Sequence, residues 1–81
     1  MKTLTFYRSA ICPRCHMAGR SLAKLLAEFP DVTLDEVEFL TNRERAKADG
    51  VRQIPTLVSG DRKLSGFYLT QNRIRRFLES L

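Results

Sequence analysis

The stretch Leu4-Thr5-Phe6-Tyr7-Arg8-Ser9-Ala10-Ile11-Cys12-Pro13-Arg14-Cys15 runs from an alternating apolar segment into the only two cysteines of the chain. Leu4 and Phe6 alternate with Thr3, Thr5 and Tyr7, the two-residue period of a strand. Beyond the cysteines, Ala18, Leu22, Leu25, Leu26 and Phe29 recur at helical spacing, opposite Arg20, Ser21, Lys24 and Glu28. Pro13 suits the first helical position, where its missing N–H would have had no partner, and the helix is expected to stop before Pro30. Cys12 then caps the helix and Cys15 lies on it one turn later. Two thiols so placed can close a disulfide reversibly and store two electrons.

Working outward, Val32 to Phe39 is rich in β-branched and acidic residues and reads as a second strand, with Leu34 among its buried members. Thr41 and Glu44 have capping-box spacing for a short helix that Gly50 closes. Thr56-Leu57-Val58 and Lys63-Leu64 flank Gly60-Asp61 as a hairpin. Ile74, Phe77, Leu78 and Leu81 line one face of a last helix, for which Thr70 is the candidate cap. The predicted order β-α-β-α-β-β-α gives an α/β domain, a four-stranded mixed sheet flanked by helices, spanning residues 1–81 as one unit. The cysteines fall at the carboxyl end of the first strand, where ligands and chemistry collect in open α/β sheets.

At 81 residues the chain builds only a small core, although an apolar fraction of 43% with five Phe and two Tyr is ample for a compact fold. A disulfide between neighbours closes too small a loop to stabilise the fold much, so a structural role explains the cysteines poorly. The first residues lack a secretory signal pattern and no stretch has the length of a membrane span, which leads to the expectation of a cytoplasmic protein with no membrane contact. In that compartment a Cys-x-x-Cys is more often catalytic or metal-binding. The net charge of +5, with Arg outnumbering Lys ten to four, suits acidic partners. Arg43, Arg45 and Lys47 alternate with Glu44 and Asp49 as on an exposed helix face, and Arg73, Arg75 and Arg76 fall in the last helix. Nucleic-acid binding is not expected, for want of a motif or interleaved aromatics.

A thiolate at a helix N-terminus meets unpaired N–H groups and the positive end of the dipole, which lower its pKa. Cys12 is that residue, with Arg14 as a nearby cation and Arg8 and Arg52 as further candidates. Cys12 would attack a substrate disulfide, and Cys15, deeper in the helix, would resolve the mixed disulfide. His16 reads as a surface residue, Met17 as core or groove packing, and Tyr7 as structural.

With Ile54-Pro55-Thr56 some forty residues beyond Cys15 and a glycine after the fourth strand, the chain resembles the thioredoxin superfamily, and within it the glutaredoxins, over nearly its whole length. Cys15-His16, Gly50-Val51-Arg52-Gln53-Ile54-Pro55, Ser59-Gly60-Asp61 and Ser65-Gly66-Phe67 resemble the NrdH-type redoxins, which supply electrons to ribonucleotide reductase. The resemblance implies a thioredoxin-like fold and protein-disulfide oxidoreductase activity on disulfide-containing proteins, ribonucleotide reductase among them. It also implies a cis Pro55 beside the cysteines, a backbone contact from Ile54 to an extended substrate, and Ser65, Gly66 and Phe67 in the same groove with Pro13 and Arg14. No cofactor beyond the Cys12–Cys15 disulfide is implied.

The chain departs from that pattern in places. Arg14 replaces an aromatic or small polar residue, Leu64 stands where tryptophan is usual, and Tyr68-Leu69-Thr70 replaces a basic residue, proline and an acidic residue. The Gly-Gly pair and aspartate with which classical glutaredoxins hold glutathione are absent, as is a basic residue three positions before Cys12, where Ser9 stands. These departures weaken the case for glutathione as electron donor and favour a thioredoxin reductase. Cys12 to His16 also fits the covalent haem signature, which export would normally accompany. Zinc would lack a fourth ligand, and a cluster shared by two chains remains the main rival, a metal or iron–sulfur binding module using the same cysteines.

Overall fold

The computed structural model describes residues 2–66 and 68–81. Its elements are β1 (Lys2–Arg8), α1 (Pro13–Leu26), β2 (Val32–Glu38), a 3-10 turn (Phe39–Thr41), α2 (Arg43–Ala48), β3 (Thr56–Ser59), β4 (Arg62–Ser65) and α3 (Gln71–Glu79). The sheet order is β2-β1-β3-β4, with β1 parallel to β2 and antiparallel to β3, and β3 antiparallel to β4. This is the expected mixed sheet.

Strand β1 buries Leu4, Thr5, Phe6 and Tyr7 in succession. Its alternation sorts the two faces of the sheet rather than inside from outside, because helices cover both. On one face Leu4, Phe6 and Leu57 pack with Ala18, Leu22 and Leu25 of α1 and Ile74, Phe77 and Leu78 of α3. On the other, Tyr7, Val37 and Val58 pack with Ala46 of α2 and Val51. The registers agree, since Phe6 lies opposite Leu57 and Tyr7 opposite Val37. Leu34 is half-buried, against the first core.

Several local signals act as expected. Pro13 is the first residue of α1, and Thr70 caps α3 by accepting the Arg73 N–H at 3.3 Å. Gly50, at φ +73°, closes α2 in a Schellman motif: its N–H reaches Lys47 O at 3.0 Å, the Val51 N–H reaches Ala46 O at 2.8 Å, and Val51 packs with Ala46. Gly60 at φ +62° followed by Asp61 makes the two-residue hairpin turn.

Other expectations need correction. Helix α1 stops before Pro30 as expected, but at Leu26, which leaves Phe29 outside it, and β2 ends at Glu38 rather than Phe39. The Thr41–Glu44 capping box does not form. Asn42 occupies the cap position of α2 without a side-chain bond, and its amide Nδ2 engages Thr41 Oγ1 at 3.2 Å and Glu38 O at 2.9 Å. The Thr41 hydroxyl is thereby drawn into the 3-10 turn, which Glu38 caps by accepting the Leu40 N–H at 3.4 Å.

Candidate functional site

Four residues separate the end of β1 from α1, and they present the dithiol. Cys12 has extended backbone (φ −103°, ψ 108°) and is the N-cap of α1, its Sγ accepting the Cys15 N–H at 3.3 Å. Its carbonyl accepts from the N–H groups of Cys15 and His16 at 3.1 and 3.2 Å, so the first turn forms directly behind the thiol. Both cysteines are free thiols. Cys12 is 9% exposed and Cys15 wholly buried.

The approach to the dithiol is braced from three sides. The Cys12 N–H donates to Ser9 O at 3.1 Å, the Ala10 N–H to Glu38 Oε2 at 3.1 Å, and His16 Nε2 to Ala10 O at 2.7 Å. His16 is therefore an exposed surface residue that pins this loop. Glu38 was not legible as a site residue, although the β1–β2 register that sets it opposite Arg8 is the feature that brings it there.

The two thiols ionise very differently. Burial pushes Cys12 up, but hydrogen bonds from the Cys15 thiol and N–H and from the Arg14 guanidinium, with the Arg14 charge, bring it below its ordinary value. Burial pushes Cys15 up to about 12, and its hydrogen bond to Cys12 and the Cys12 charge push the same way. The charge of Arg8 falls on Cys15 and Glu38. The proximal cation on Cys12 is thus Arg14, as the sequence suggests.

The registers bring the remaining candidate residues to the same end of the sheet. Tyr7 pairs with Thr56, and Thr56 with Ser65, so Ile54-Pro55 and Ser65-Gly66 sit level with the carboxyl end of β1, from which the dithiol loop leaves. The Ile54–Pro55 peptide is cis, Pro55 is buried, and Ile54 packs its side chain against the second core. Thr56 Oγ1 donates to Gln53 O at 2.7 Å and lies 3.0 Å from Ser65 Oγ, which ties the two segments together. Pro13 is exposed and Arg14 half-exposed. Phe67 lies outside the described residues.

Arg73 of α3 was not singled out by the sequence as a site residue, yet it clamps this end of the molecule. Its guanidinium donates to Ser65 O at 3.3 Å and Tyr68 O at 3.0 Å. A Cβ on Gly66 would stand 2.6 Å from Arg73 Nη1, so glycine gives the guanidinium its space. On the opposite face of the sheet the buried Tyr7 hydroxyl donates to Asp49 Oδ2 at 2.5 Å, which confirms a structural role for Tyr7. Met17 is not core: it is 62% exposed and lines a groove beside Arg14. Among the described residues no group of three or more His, Cys, Asp or Glu side chains is arranged to hold a metal ion, and no helix is long and apolar enough to cross a membrane.

Two thiols at the carboxyl end of an inner strand, the first capping a helix, with a cis-proline at the same end of the sheet, define a dithiol protein of the thioredoxin fold. The fold is shared with mitochondrial thioredoxin 3 from Saccharomyces cerevisiae, at a TM-score of 0.85 and 24% identity over 99% of this chain and 78% of that one. Desulfothioredoxin from Desulfovibrio vulgaris Hildenborough matches at a TM-score of 0.84 and 24% identity, over 99% of this chain and 81% of that one. No protein-family model matches the sequence. Among curated proteins, the glutaredoxin-like protein NrdH of Escherichia coli K12 is 31% identical over 64 residues, covering 79% of this chain and 76% of its own. The protein of the same name from Salmonella typhimurium is 34% identical over 65 residues, covering 80% and 78%. The chain belongs to the NrdH family of glutaredoxin-like proteins and is a thiol–disulfide redox protein.

Proposed function

We propose that the protein is a dithiol reductant of protein disulfides, with Cys12 as nucleophile and Cys15 as resolving thiol. The observation that carries this reading is the geometry of two free thiols one turn apart: Cys12 caps α1 with its Sγ accepting the Cys15 N–H at 3.3 Å, and Cys15 is wholly buried, so that Cys12 is lowered and Cys15 raised. The Cys12 thiolate attacks one sulfur of the substrate disulfide, forming a mixed disulfide and expelling the other sulfur as a thiolate. Cys15 then loses its proton to that thiolate and attacks Cys12 Sγ. The Cys12–Cys15 bond forms, the mixed disulfide breaks, and the second substrate sulfur leaves as a thiolate that takes its proton from water. The protein dithiol is oxidised by two electrons and the substrate disulfide reduced by the same two.

Pro13, Arg14, Ile54, Pro55, Ser65, Gly66 and Phe67 would form the walls of the substrate groove, with the Ile54 backbone meeting an extended segment. Family membership supports a cytoplasmic setting, ribonucleotide reductase as a substrate, and thioredoxin reductase rather than glutathione as donor, since the glutathione-holding Gly-Gly pair and aspartate are missing. The test couples NADPH oxidation by thioredoxin reductase to reduction of a protein disulfide, with a glutathione-coupled assay in parallel. Cys12→Ser is expected to abolish turnover and Cys15→Ser to accumulate a mixed disulfide visible by mass spectrometry. Full turnover by Cys12→Ser refutes the assignment.

A further inference from the structure

Helix α1 carries two parallel stripes displaced by one residue. Cys15, Ala18, Leu22 and Leu25 recur at intervals of three, four and three and are buried against the sheet. Arg14, Met17, Ser21 and Lys24 recur at the same intervals and line a groove of about 460 Å³, with Arg20 beside them and Tyr68, Leu69, Thr70 and Gln71 as the far wall. Three cations look into this groove and no acidic side chain lines it. Two of the lining side chains are large, apolar and exposed, Met17 at 62% and Tyr68 at 59%.

The groove begins at the dithiol, because Arg14 is both its first wall residue and a cation acting on Cys12. From Arg14 to Lys24 the helix rises about 15 Å at ~1.5 Å per residue. An extended chain covers that distance in about four or five residues at ~3.3 Å each. We infer that this groove is a specificity site for an extended acidic segment of the partner protein, which lies along Arg14, Arg20 and Lys24 while its cysteine meets Cys12. The inference rests on the dithiol reading above and adds a partner chemistry to it: carboxylates within about five residues of the reacting cysteine, interspersed with apolar side chains that rest on Met17 and Tyr68. Cations arranged along a groove accelerate encounter with such a segment and discriminate against a basic one.

Two synthetic disulfide peptides, alike except that glutamates flank the cysteines in one and lysines in the other, separate the contributions. Reduced wild-type protein is expected to reduce the acidic peptide with about tenfold higher kcat/KM at low ionic strength, the gap closing as salt screens the charges. The double variant Arg20→Glu/Lys24→Glu is expected to reverse the order, and its gain on the lysine peptide shows that it is folded and active. Binding of the same fluorescently labelled peptides to Cys12→Ser/Cys15→Ser, followed by anisotropy, should show the wild-type order without any chemistry. Equal efficiencies for the two peptides, or a preference that survives the double variant, overturn the inference. If neither peptide is reduced, the redox reading fails, and the anisotropy order alone decides the groove.

Discussion

Alkylation of the reduced protein by iodoacetamide reads the asymmetry of the dithiol directly, because only a thiolate reacts at a useful rate. Cys15, at about 12, is ionised at pH 7 to roughly one part in 10⁵, against about one in a hundred for a thiol at its ordinary 9.0. Burial of Cys15 removes access as well. Cys12 lies below 9.0 and keeps 9% of its surface exposed at the N-cap of α1, where Cys15 keeps none. The expected product at pH 7 is a single adduct on Cys12, identified by peptide mass mapping. Adding the reagent to Cys12 removes the charge that helps to hold Cys15 up, yet desolvation, the larger cause, remains, so Cys15 should be labelled only after unfolding. The rate of Cys12 alkylation plotted against pH should have its midpoint below 9.0. Comparable labelling of both cysteines in the folded protein, or a midpoint at or above 9.0, refutes the assignment of roles.

Three further outcomes follow from the same geometry. Arg14→Ala should raise the Cys12 midpoint and, by removing stabilisation of the reduced form, make the reduction potential more negative by roughly 5–20 mV, taking about 0.2–1 kcal/mol for a half-exposed charge contact and ~30 mV per 1.4 kcal/mol; an unchanged potential in a defined redox buffer contradicts this. Tyr7, raised from 10.0 to about 12 chiefly by burial and then by its bond to Asp49, and Cys15, raised from 9.0 to about 12, both hold their protons more tightly folded than unfolded. The stability they give is complete below pH 9 and is lost as pH rises from 9 towards 12, so the urea midpoint of the reduced protein should fall across that window. Tyr7→Phe should lower stability by about 1 kcal/mol at neutral pH and remove the part of the fall that begins near pH 10. Gly66→Ala should expel the Arg73 guanidinium from its bonds to Ser65 and Tyr68, so that Arg73→Ala adds little further destabilisation in the Gly66→Ala background; additive losses in chemical denaturation would show that the two act separately.

Features governed by residues close in sequence were legible. Cys12 as cap, Pro13 in first place, Thr70 on α3 and the Gly50 closure of α2 each depend on a few neighbouring side chains, and the spacing of Leu22, Leu25, Ile74 and Phe77 marked the main core. Features set by pairing across the sheet were not. Tyr7 and Phe6 alternate identically whether one face of β1 is covered or two, so the second core was invisible until α2 lay over it. Thr41 carried a valid capping pattern, but Glu38, three residues upstream, captured that turn for a 3-10 geometry. Met17 is apolar at a position one step off the buried stripe, where the helix turns it towards solvent. Within the site, both cysteines and the cis Pro55 were readable as motifs, whereas Glu38 and Arg73 act through backbone carbonyls and N–H groups that leave no trace in a residue pattern.

The sulfur that caps α1 gives that cap a second meaning. Only the dithiol state offers the Cys15 N–H a thiolate, since closing the disulfide ties the same sulfur into a neutral bond. Consider a thermodynamic cycle joining folding to electron transfer: whatever the thiolate cap adds to the folded dithiol beyond the folded disulfide reappears, calorie for calorie, as electron affinity gained over the unfolded chain. A helix terminus is in this way a voltage-setting component, and a substitution that weakens the first turn of α1 more in the dithiol than in the disulfide acts on the driving force of the redox couple as well as on the persistence of the fold.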